Sequence, residues 1–102
     1  MKVTTISIDL AKNVFQVMGF TSTGKVVFNK RLNRAQLSHF MQMQPPCRVV
    51  MEACYSSHYW GRALELFGHA VHLIPAQHVT PFVRGNKNDS NDTLAIFEAS
   101  HR

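Results

Sequence analysis

The alternation of hydrophobic and polar residues predicts β-strands in the first third of the chain. Residues 3–9 (VTTISID) are mostly β-branched, with isoleucine side chains on one side and threonine, serine and aspartate side chains on the other. Residues 14–20 and 25–31 show the same extended pattern, and the Thr-Ser-Thr-Gly sequence between them is typical of a turn. Because short connections favour antiparallel pairing, we predict three consecutive antiparallel strands.

The rest of the chain alternates between helical and extended patterns. Asn33 is a typical N-cap residue for a helix that ends before a Pro-Pro sequence. Ser56 or Ser57 can cap a second helix, which ends at Gly68. The predicted elements after the third strand are a helix that begins after residue 33, a strand over 48–52, a helix over 57–67, a strand over 70–74, one helical turn within 76–83, a loop over 84–88 and a helix over 93–100.

This order of elements indicates an α/β fold. Three antiparallel strands, followed by helices and strands in alternation, predict one mixed five-stranded sheet with helices on its faces. The ribonuclease H-like fold and the actin-like sugar-kinase fold both begin with this order. The apolar positions expected to pack the helices are Leu37, Phe40, Trp60, Leu64, Phe67 and Ile96.

Composition adds a size and a charge to this prediction. The 102 residues suit one domain, and 11 Lys and Arg against 6 Asp and Glu give a formal net charge of +5. A positive balance favours a polyanionic partner. No apolar run approaches the roughly 20 residues of a membrane helix, and the polar N-terminal residues lack the apolar core of a secretory signal. We therefore expect a cytoplasmic protein without a membrane segment.

The two cysteines do not form a recognisable motif. Cys47 and Cys54 make no Cys-x-x-Cys pair, so both are expected to be reduced and mostly buried thiols. A zinc site that uses Cys54 and His58 is the alternative, although the sequence offers no second pair at ligand spacing.

Four of the acidic residues lie at the ends of predicted elements. Asp9 ends the first strand and Glu52 ends the fourth, and these strands are commonly neighbours in such a sheet. Asp89 and Asp92 share one face of a helix because they are three residues apart. Converging carboxylates repel one another unless a cation neutralises them, and Mg²⁺ prefers oxygen ligands. The residues thus indicate a metal site, with separate structural roles for each acid as the alternative.

Three segments resemble a known family: ISIDLAKNVFQV (6–17), VVMEACYSSHYWGRAL (49–64) and HVTPFVRGNKNDSNDTLAI (78–96). They are similar, in order and over nearly the whole chain, to the DEDD-type insertion-sequence transposases, relatives of the Piv and MooV recombinases. The resemblance implies a RuvC-like, ribonuclease H-type domain with a catalytic tetrad that binds Mg²⁺ or Mn²⁺. The tetrad positions correspond to Asp9, Glu52, Asp89 and Asp92.

The resemblance also implies a function and partners. It implies DNA strand cleavage and transfer during transposition of an insertion sequence, with DNA as the partner and a guide RNA encoded by the element. It further implies a homo-oligomer in the full-length family and a location in the prokaryotic cytoplasm, at the nucleoid. Family members continue into a second domain that supplies a serine. Residues 1–102 are therefore expected to be a RuvC-like N-terminal domain, a truncated form without that serine-bearing domain.

Three basic residues lie next to the acidic positions in the sequence. Lys12 follows Asp9 closely, and Arg84 and Lys87 lie in the predicted loop before Asp89. We expect all three to contact a nucleic-acid backbone, with a merely solvated surface as the alternative.

Aromatic and histidine side chains offer further candidates. Tyr59 and Trp60 are expected in the core, with base stacking as the alternative. His58 is expected to be an ordinary polar residue of a helix, with proton transfer as the alternative. His69 and His72 lie on an extended segment and point to opposite faces, so they are not expected to share a metal.

Two other classes of protein compete with the transposase interpretation. An actin-like ATPase would follow its first strand with a glycine-bearing phosphate hairpin, whereas residues 10–13 (LAKN) contain no glycine. A non-catalytic remnant that binds nucleic acid or forms dimers would keep the same residues without turnover. The first alternative is disfavoured by the sequence, and the second stays open.

Overall fold

A computed structural model of the chain describes residues 2–10, 13–79 and 89–101, with the backbone alone for residues 89–92. None of the helices within these ranges is long and apolar enough to cross a membrane. The strands are β1 (Thr5–Leu10), β2 (Phe15–Phe20), β3 (Val26–Leu32), β4 (Arg48–Glu52) and β5 (Ala70–Ile74). The helices are α1 (Arg34–Met43), α2 (Ser57–Leu66), α3 (Ala76–Val79) and α4 (Asp89–Ala99).

The five strands form one mixed sheet in the order β3-β2-β1-β4-β5. β2 is antiparallel to both β1 and β3, whereas β4 is parallel to both β1 and β5. Parallel neighbours need a crossover connection, and α1 and α2 lie in those connections. The predicted α/β fold, with a five-stranded sheet and three antiparallel first strands, is confirmed.

Local sequence signals form the β2–β3 turn and the start of α1 as predicted. Gly24 has a φ of 89° in the β2–β3 turn, a conformation that glycine adopts without steric cost. Asn33 caps α1 as predicted: the Gln36 backbone N–H donates to Asn33 Oδ1 over 2.8 Å, and the Asn33 backbone N–H donates to Gln36 Oε1 over 2.9 Å. This reciprocal capping box satisfies two N–H groups that the first helical turn leaves without partners.

One face of the sheet carries the main hydrophobic core. Residues two apart on a strand share a face, so the alternating apolar residues of β1, β2 and β4 all point to the same side. The inward side chains of α1 and α2 pack against them. The fully or nearly fully buried members of this α1/α2 face are Ile6, Ile8, Phe15, Val17, Leu37, Met41, Val49, Met51, Trp60 and Leu64.

A buried histidine ties the end of α1 to the start of two strands. The backbone N–H of Cys47 donates to His69 Nδ1 over 3.2 Å, so the other ring nitrogen carries the hydrogen. His69 Nε2 then donates to the carbonyl oxygen of Met41 over 2.8 Å. Only 4% of His69 is exposed. The ring therefore joins the residues before β4 and β5 to the last turn of α1.

The opposite face of the sheet is covered by α4. Val50 packs there against Ile96 and Ala99, together with Val79 of α3. On the same helix, the Phe97 ring stacks on that of Phe20, with the ring centroids 3.6 Å apart. We call this side of the sheet the α4 face.

The structure corrects two predictions about side-chain burial. Tyr59 is 57% exposed, so its predicted core position is wrong, whereas Trp60 is 2% exposed as predicted. Consecutive helical residues point about 100° apart, and only one of this pair can face the sheet. Cys54 is exposed, so its predicted burial is wrong, whereas Cys47 is partly buried. Cys54 follows the last residue of β4 by two positions and is therefore outside the packed layer.

Some predicted boundaries shift. Ser56 occupies the N-cap position of α2 without a side-chain cap hydrogen bond, and the Ser57 hydroxyl instead bonds to the backbone of Cys54. The helical turn predicted within 76–83 is present as Ala76–Val79, and the final helix begins at Asp89 rather than at residue 93. The predicted loop over 84–88 lies outside the described residues.

Candidate active site

Two of the four predicted acidic residues are neighbours at the carboxyl ends of parallel strands. Ile8 of β1 pairs with Met51 of β4, so the next residue of each strand, Asp9 and Glu52, continues the same register. Neighbouring strands are about 4.8 Å apart, which sets the distance between the two backbones. Both side chains are partly buried. Asp9 shares a face with Ser7, and Glu52 shares a face with Val50, so both carboxylates belong to the α4 face.

Two contacts fix the direction in which α4 crosses this face. Ser7 of β1, fully buried, donates its hydroxyl to the carbonyl oxygen of Thr93 over 2.8 Å. At the other end of the helix, the Arg48 guanidinium donates to Ser100 Oγ over 3.2 Å and to the Ser100 carbonyl oxygen over 3.0 Å. Arg48 begins β4, so the C-terminal end of α4 lies near the amino ends of the parallel strands. The N-terminal turn of α4 therefore lies toward their carboxyl ends.

This direction places the backbone of the other two predicted acids near the first pair. Asp89 begins α4. Asp92 directly precedes Thr93, whose carbonyl oxygen accepts the hydrogen bond from the Ser7 hydroxyl. Ser7 is two residues before Asp9 on the same face of β1. The first turn of α4 and the carboxyl ends of β1 and β4 thus approach one another from three separate parts of the chain.

The residues whose side chains the structure describes supply only part of such a site. Within that set, no group of three or more His, Cys, Asp and Glu side chains is arranged to hold a metal ion. The zinc site that the alternative interpretation built on Cys54 and His58 is therefore not formed by the described residues. Lys12, Arg84 and Lys87, the predicted contacts to nucleic acid, lie outside the described residues.

His58 lies on the other side of the sheet from the two carboxylates. It lines a cleft of about 160 Å³ between α2 and β5, together with Arg62 and Glu65. Val71 and Leu73 at the base of this cleft pack against the core of the α1/α2 face. The predicted role of His58 as an ordinary polar helix residue fits this position better than proton transfer at Asp9 and Glu52. His69, which bonds to backbone groups on both sides of its ring, and the exposed His72 form no shared site.

Sequence reasoning missed three polar residues on the face of the sheet that carries the carboxylate pair. Ser7 holds α4 against β1 through its hydrogen bond to Thr93. The sequence signal for this residue was its position between Thr5 and Asp9 on the polar side of β1. Gln16, opposite Asp9 on β2, is a polar residue that is only 5% exposed, and Arg31 lies opposite Gln16 on β3. Burying a polar residue without a hydrogen-bond partner is costly. The single glutamine in the otherwise apolar strand FQVMGF was therefore the available sequence signal for Gln16.

Curated relatives of the chain are transposases. It is 49% identical over 102 residues to a probable family 20 transposase of Pseudomonas aeruginosa, covering 100% of the chain and 30% of that protein. It is 45% identical over 100 residues to the transposase for insertion sequence element IS1328 of Yersinia enterocolitica, covering 98% of the chain and 30% of that protein. The chain thus spans about 30% of the length of these relatives. No protein-family model matches it.

Solved structures agree on the fold. The structure of Thermus thermophilus RuvC matches with a TM-score of 0.67 at 10% identity, covering 93% of the chain and 90% of that protein. T. thermophilus RuvC in complex with a Holliday junction substrate matches with a TM-score of 0.65 at 8% identity, covering 96% and 92%. Similarity at this level of identity shows a shared fold. Over its full length the chain is similar to transposases of insertion sequences, and it has the RuvC-like fold.

Proposed function

We propose that this chain is the metal-binding catalytic domain of a DEDD-type transposase, acting in DNA strand cleavage and transfer during transposition. The observation that carries the proposal is the parallel register of β1 and β4, which makes Asp9 and Glu52 neighbours beneath the first turn of α4. In this proposal Asp89 and Asp92 complete the tetrad from that turn. The identity to insertion-sequence transposases supports the reaction class.

The donor set fits Mg²⁺ or Mn²⁺. Carboxylate oxygens are the preferred ligands of these hard cations, which keep several waters and bind phosphate oxygens in addition. Two neighbouring partly buried carboxylates would repel each other in the absence of a cation, and a bound ion removes that cost. A bound divalent ion would supply stabilisation of the negative charge that develops on phosphate oxygens during phosphodiester cleavage.

The protein's own contribution is to hold these ligands in place. β1 and β4 are central strands of the sheet, and the backbone of each acid is paired with an outer neighbour: Asp9 with Gln16 of β2, and Glu52 with Ile74 of β5. α4 is fixed to the same strands at both ends, by Ser7 and by Arg48. A site built on regular elements in this way is held more accurately than one built on loops.

The proposed partner is DNA. The formal net charge of +5 favours a polyanion, and the relatives at 44–49% identity are named transposases. The RuvC structure with a Holliday junction substrate supports branched DNA as the substrate class to test first. In the longer relatives we propose that a further domain supplies the serine, that an element-encoded RNA guides the site choice and that the protein acts as an oligomer at the nucleoid. Residues 1–102 would be the RuvC-like part of that assembly.

Thermal unfolding with and without Mg²⁺ tests the metal site. A ligand that binds only the folded state at about ten times its Kd stabilises that state by about 1.4 kcal/mol. For a domain of this size, each 1 kcal/mol raises Tm by roughly 4–8 °C. We expect this shift in the natural sequence and its loss in Asp9→Asn and Glu52→Gln.

The matched control is Glu65→Gln, which removes an exposed acid on α2 and should leave the Mg²⁺ shift intact. Absence of a Mg²⁺-dependent shift in the natural sequence would contradict the metal site. Cleavage of branched DNA in the presence of Mn²⁺, with Asp9→Asn as the negative control, then separates an active domain from a remnant. A metal shift without cleavage would support the non-catalytic alternative for the isolated chain.

A further inference from the structure

The carboxyl end of β3 presents an exposed polar surface beside the candidate active site. Arg31 pairs with Gln16, and Gln16 pairs with Asp9. Residues directly opposite one another on neighbouring strands share a face of the sheet. Arg31, Gln16, Asp9 and Glu52 therefore form one row across four strands on the α4 face, and Arg31 at the outer end of this row is exposed.

The residues between Arg31 and Asp9 are held by a hydrogen bond across the strands. Gln16 is 5% exposed, and its Nε2 donates to Oδ1 of Asn29, an exposed residue two positions before Arg31 on β3. Asn29 and Arg31 share the face that Gln16 occupies. Gln16, Asn29 and Arg31, which we call the β3 strip, thus extend the face of the carboxylate pair toward β3 with hydrogen-bonding groups and one positive charge.

Distances along the row suit a nucleic-acid strand. The Arg31 backbone lies two strands from that of Asp9, a separation of about 10 Å. Duplex DNA presents one phosphate on each strand about every 3.4 Å along its axis. A phosphate bound through a metal ion at Asp9 and Glu52 would therefore leave others of the same strand within reach of Arg31. A guanidinium group suits this role because its planar set of donors matches two phosphate oxygens at once.

We propose that Arg31 and Asn29 bind the phosphate backbone of DNA a few nucleotides from the phosphate that would react at the Asp9 and Glu52 metal site, with Gln16 as a positioning residue. This inference rests on the proposed function, because it takes DNA as the substrate and the carboxylate pair as the reacting site. It adds a binding surface on β3, an element that carries none of the predicted site residues.

The same strand provides a matched control. Lys30 directly precedes Arg31 and is also exposed, yet its side chain lies on the other face of the sheet, with Nζ 5.7 Å from the centre of the Phe40 ring. Arg31→Gln and Lys30→Gln remove the same formal charge from adjacent positions. A difference between the two variants therefore reports the contact and not the net charge.

The experiment measures DNA affinity of the whole chain as a function of salt, in EDTA, by fluorescence anisotropy of a labelled duplex and of a labelled single strand. Each phosphate contact contributes about 0.9 to the slope of log affinity against log salt for duplex DNA, and about 0.7 for a single strand. We expect Arg31→Gln to lower the slope by about this amount relative to Lys30→Gln, and Arg31→Lys to retain it. The arm in which the loss reaches its own expected value, about 0.9 for the duplex or about 0.7 for the single strand, identifies the form of DNA that the strip contacts.

Equal slopes for Arg31→Gln and Lys30→Gln would overturn the proposal. If Arg31→Gln fails to fold, Asn29→Asp provides the same test, because an aspartate keeps the acceptor for Gln16 and places a negative charge on the strip. EDTA removes divalent metal, so the result does not depend on the tetrad. A slope difference without a Mg²⁺-dependent rise in Tm would support the β3 strip and refute the metal site. Equal slopes together with a Mg²⁺-dependent rise in Tm would refute the β3 strip and support the metal site.

Discussion

Ser7→Ala tests whether one buried hydroxyl positions α4 over the carboxylates. The Ser7 hydroxyl is fully buried and donates to the carbonyl oxygen of Thr93, 86 residues away in the chain. Alanine keeps the volume of the site nearly unchanged and removes only this bond. The variant therefore isolates the link between β1 and the helical turn that carries Asp92.

The expected cost follows from what each partner loses. The Thr93 carbonyl lies inside α4, so it keeps its helical hydrogen bond when the serine is replaced. No acceptor is left wholly unpaired, and the cost is that of one net hydrogen bond, about 0.5–1.5 kcal/mol. Since 1 kcal/mol changes Tm by roughly 4–8 °C in a domain of this size, the variant should melt several degrees lower.

Thermal and urea unfolding measure the stability change, and the same melts with Mg²⁺ measure its effect on the site. We expect Ser7→Ala to bind Mg²⁺ more weakly as well, because the first turn of α4 loses its connection to β1. The control is Ser22→Ala, which changes an exposed serine in the β2–β3 turn. Equal stabilities for Ser7→Ala and Ser22→Ala would refute the anchoring role, and an unchanged Mg²⁺ shift would refute its connection to the site.

Two further predictions concern the α1/α2 face and the thiol next to it. Leu64→Ala should lower the free energy of unfolding by about 2–5 kcal/mol in denaturant, because Leu64 is fully buried. The control is Leu66→Ala on the same helix, which should cost little because Leu66 is 86% exposed. Similar costs for the two variants would contradict the assigned packing. Burial raises the pKa of Cys47 from its ordinary value of 9.0 to about 11, so the folded state holds this proton more tightly than the unfolded state does. The resulting stability is present below pH 9 and is lost between about pH 9 and pH 11. Cys47→Ala should therefore reduce the fall in the free energy of unfolding over this pH range, compared with Cys54→Ala. Parallel pH profiles for the two variants would refute the raised pKa of Cys47.

Local patterns predict most of the fold because they depend on neighbouring residues. The β2–β3 turn, the Asn33 cap and the strand at 48–52 are all set by residues within a few positions of one another. The start of α4 was placed four residues late, since its first turn is polar and offers no apolar periodicity. Tyr59 was misplaced for a related reason: the pattern identifies an apolar helix but does not decide between two adjacent aromatic residues.

The site itself was only partly predictable. Asp9 and Glu52 were identified because each follows an apolar strand, and the parallel register confirms that these strands are neighbours. The α4 anchor and the β3 strip depend on contacts such as Ser7 with Thr93, which join residues far apart in sequence. No local rule indicates which of many polar residues will meet across that distance. The predicted convergence of all four acids stays a prediction, tested by the Mg²⁺ melts.

The placement of α4 has a consequence for the order in which the chain can fold during synthesis. All five strands and the α1/α2 face are complete once residue 79 has been made. On the other face, however, Phe20 still lacks Phe97, and Val50 has Val79 but still lacks Ile96 and Ala99, until residues 89–99 are made. At about 5–20 residues per second, the ribosome needs one to a few seconds to make residues 80–99. During that time the sheet presents an uncovered apolar face, which is a target for chaperones. The carboxylate row remains without its covering helix for the same interval, so under the proposed function a nascent chain would complete its metal site last.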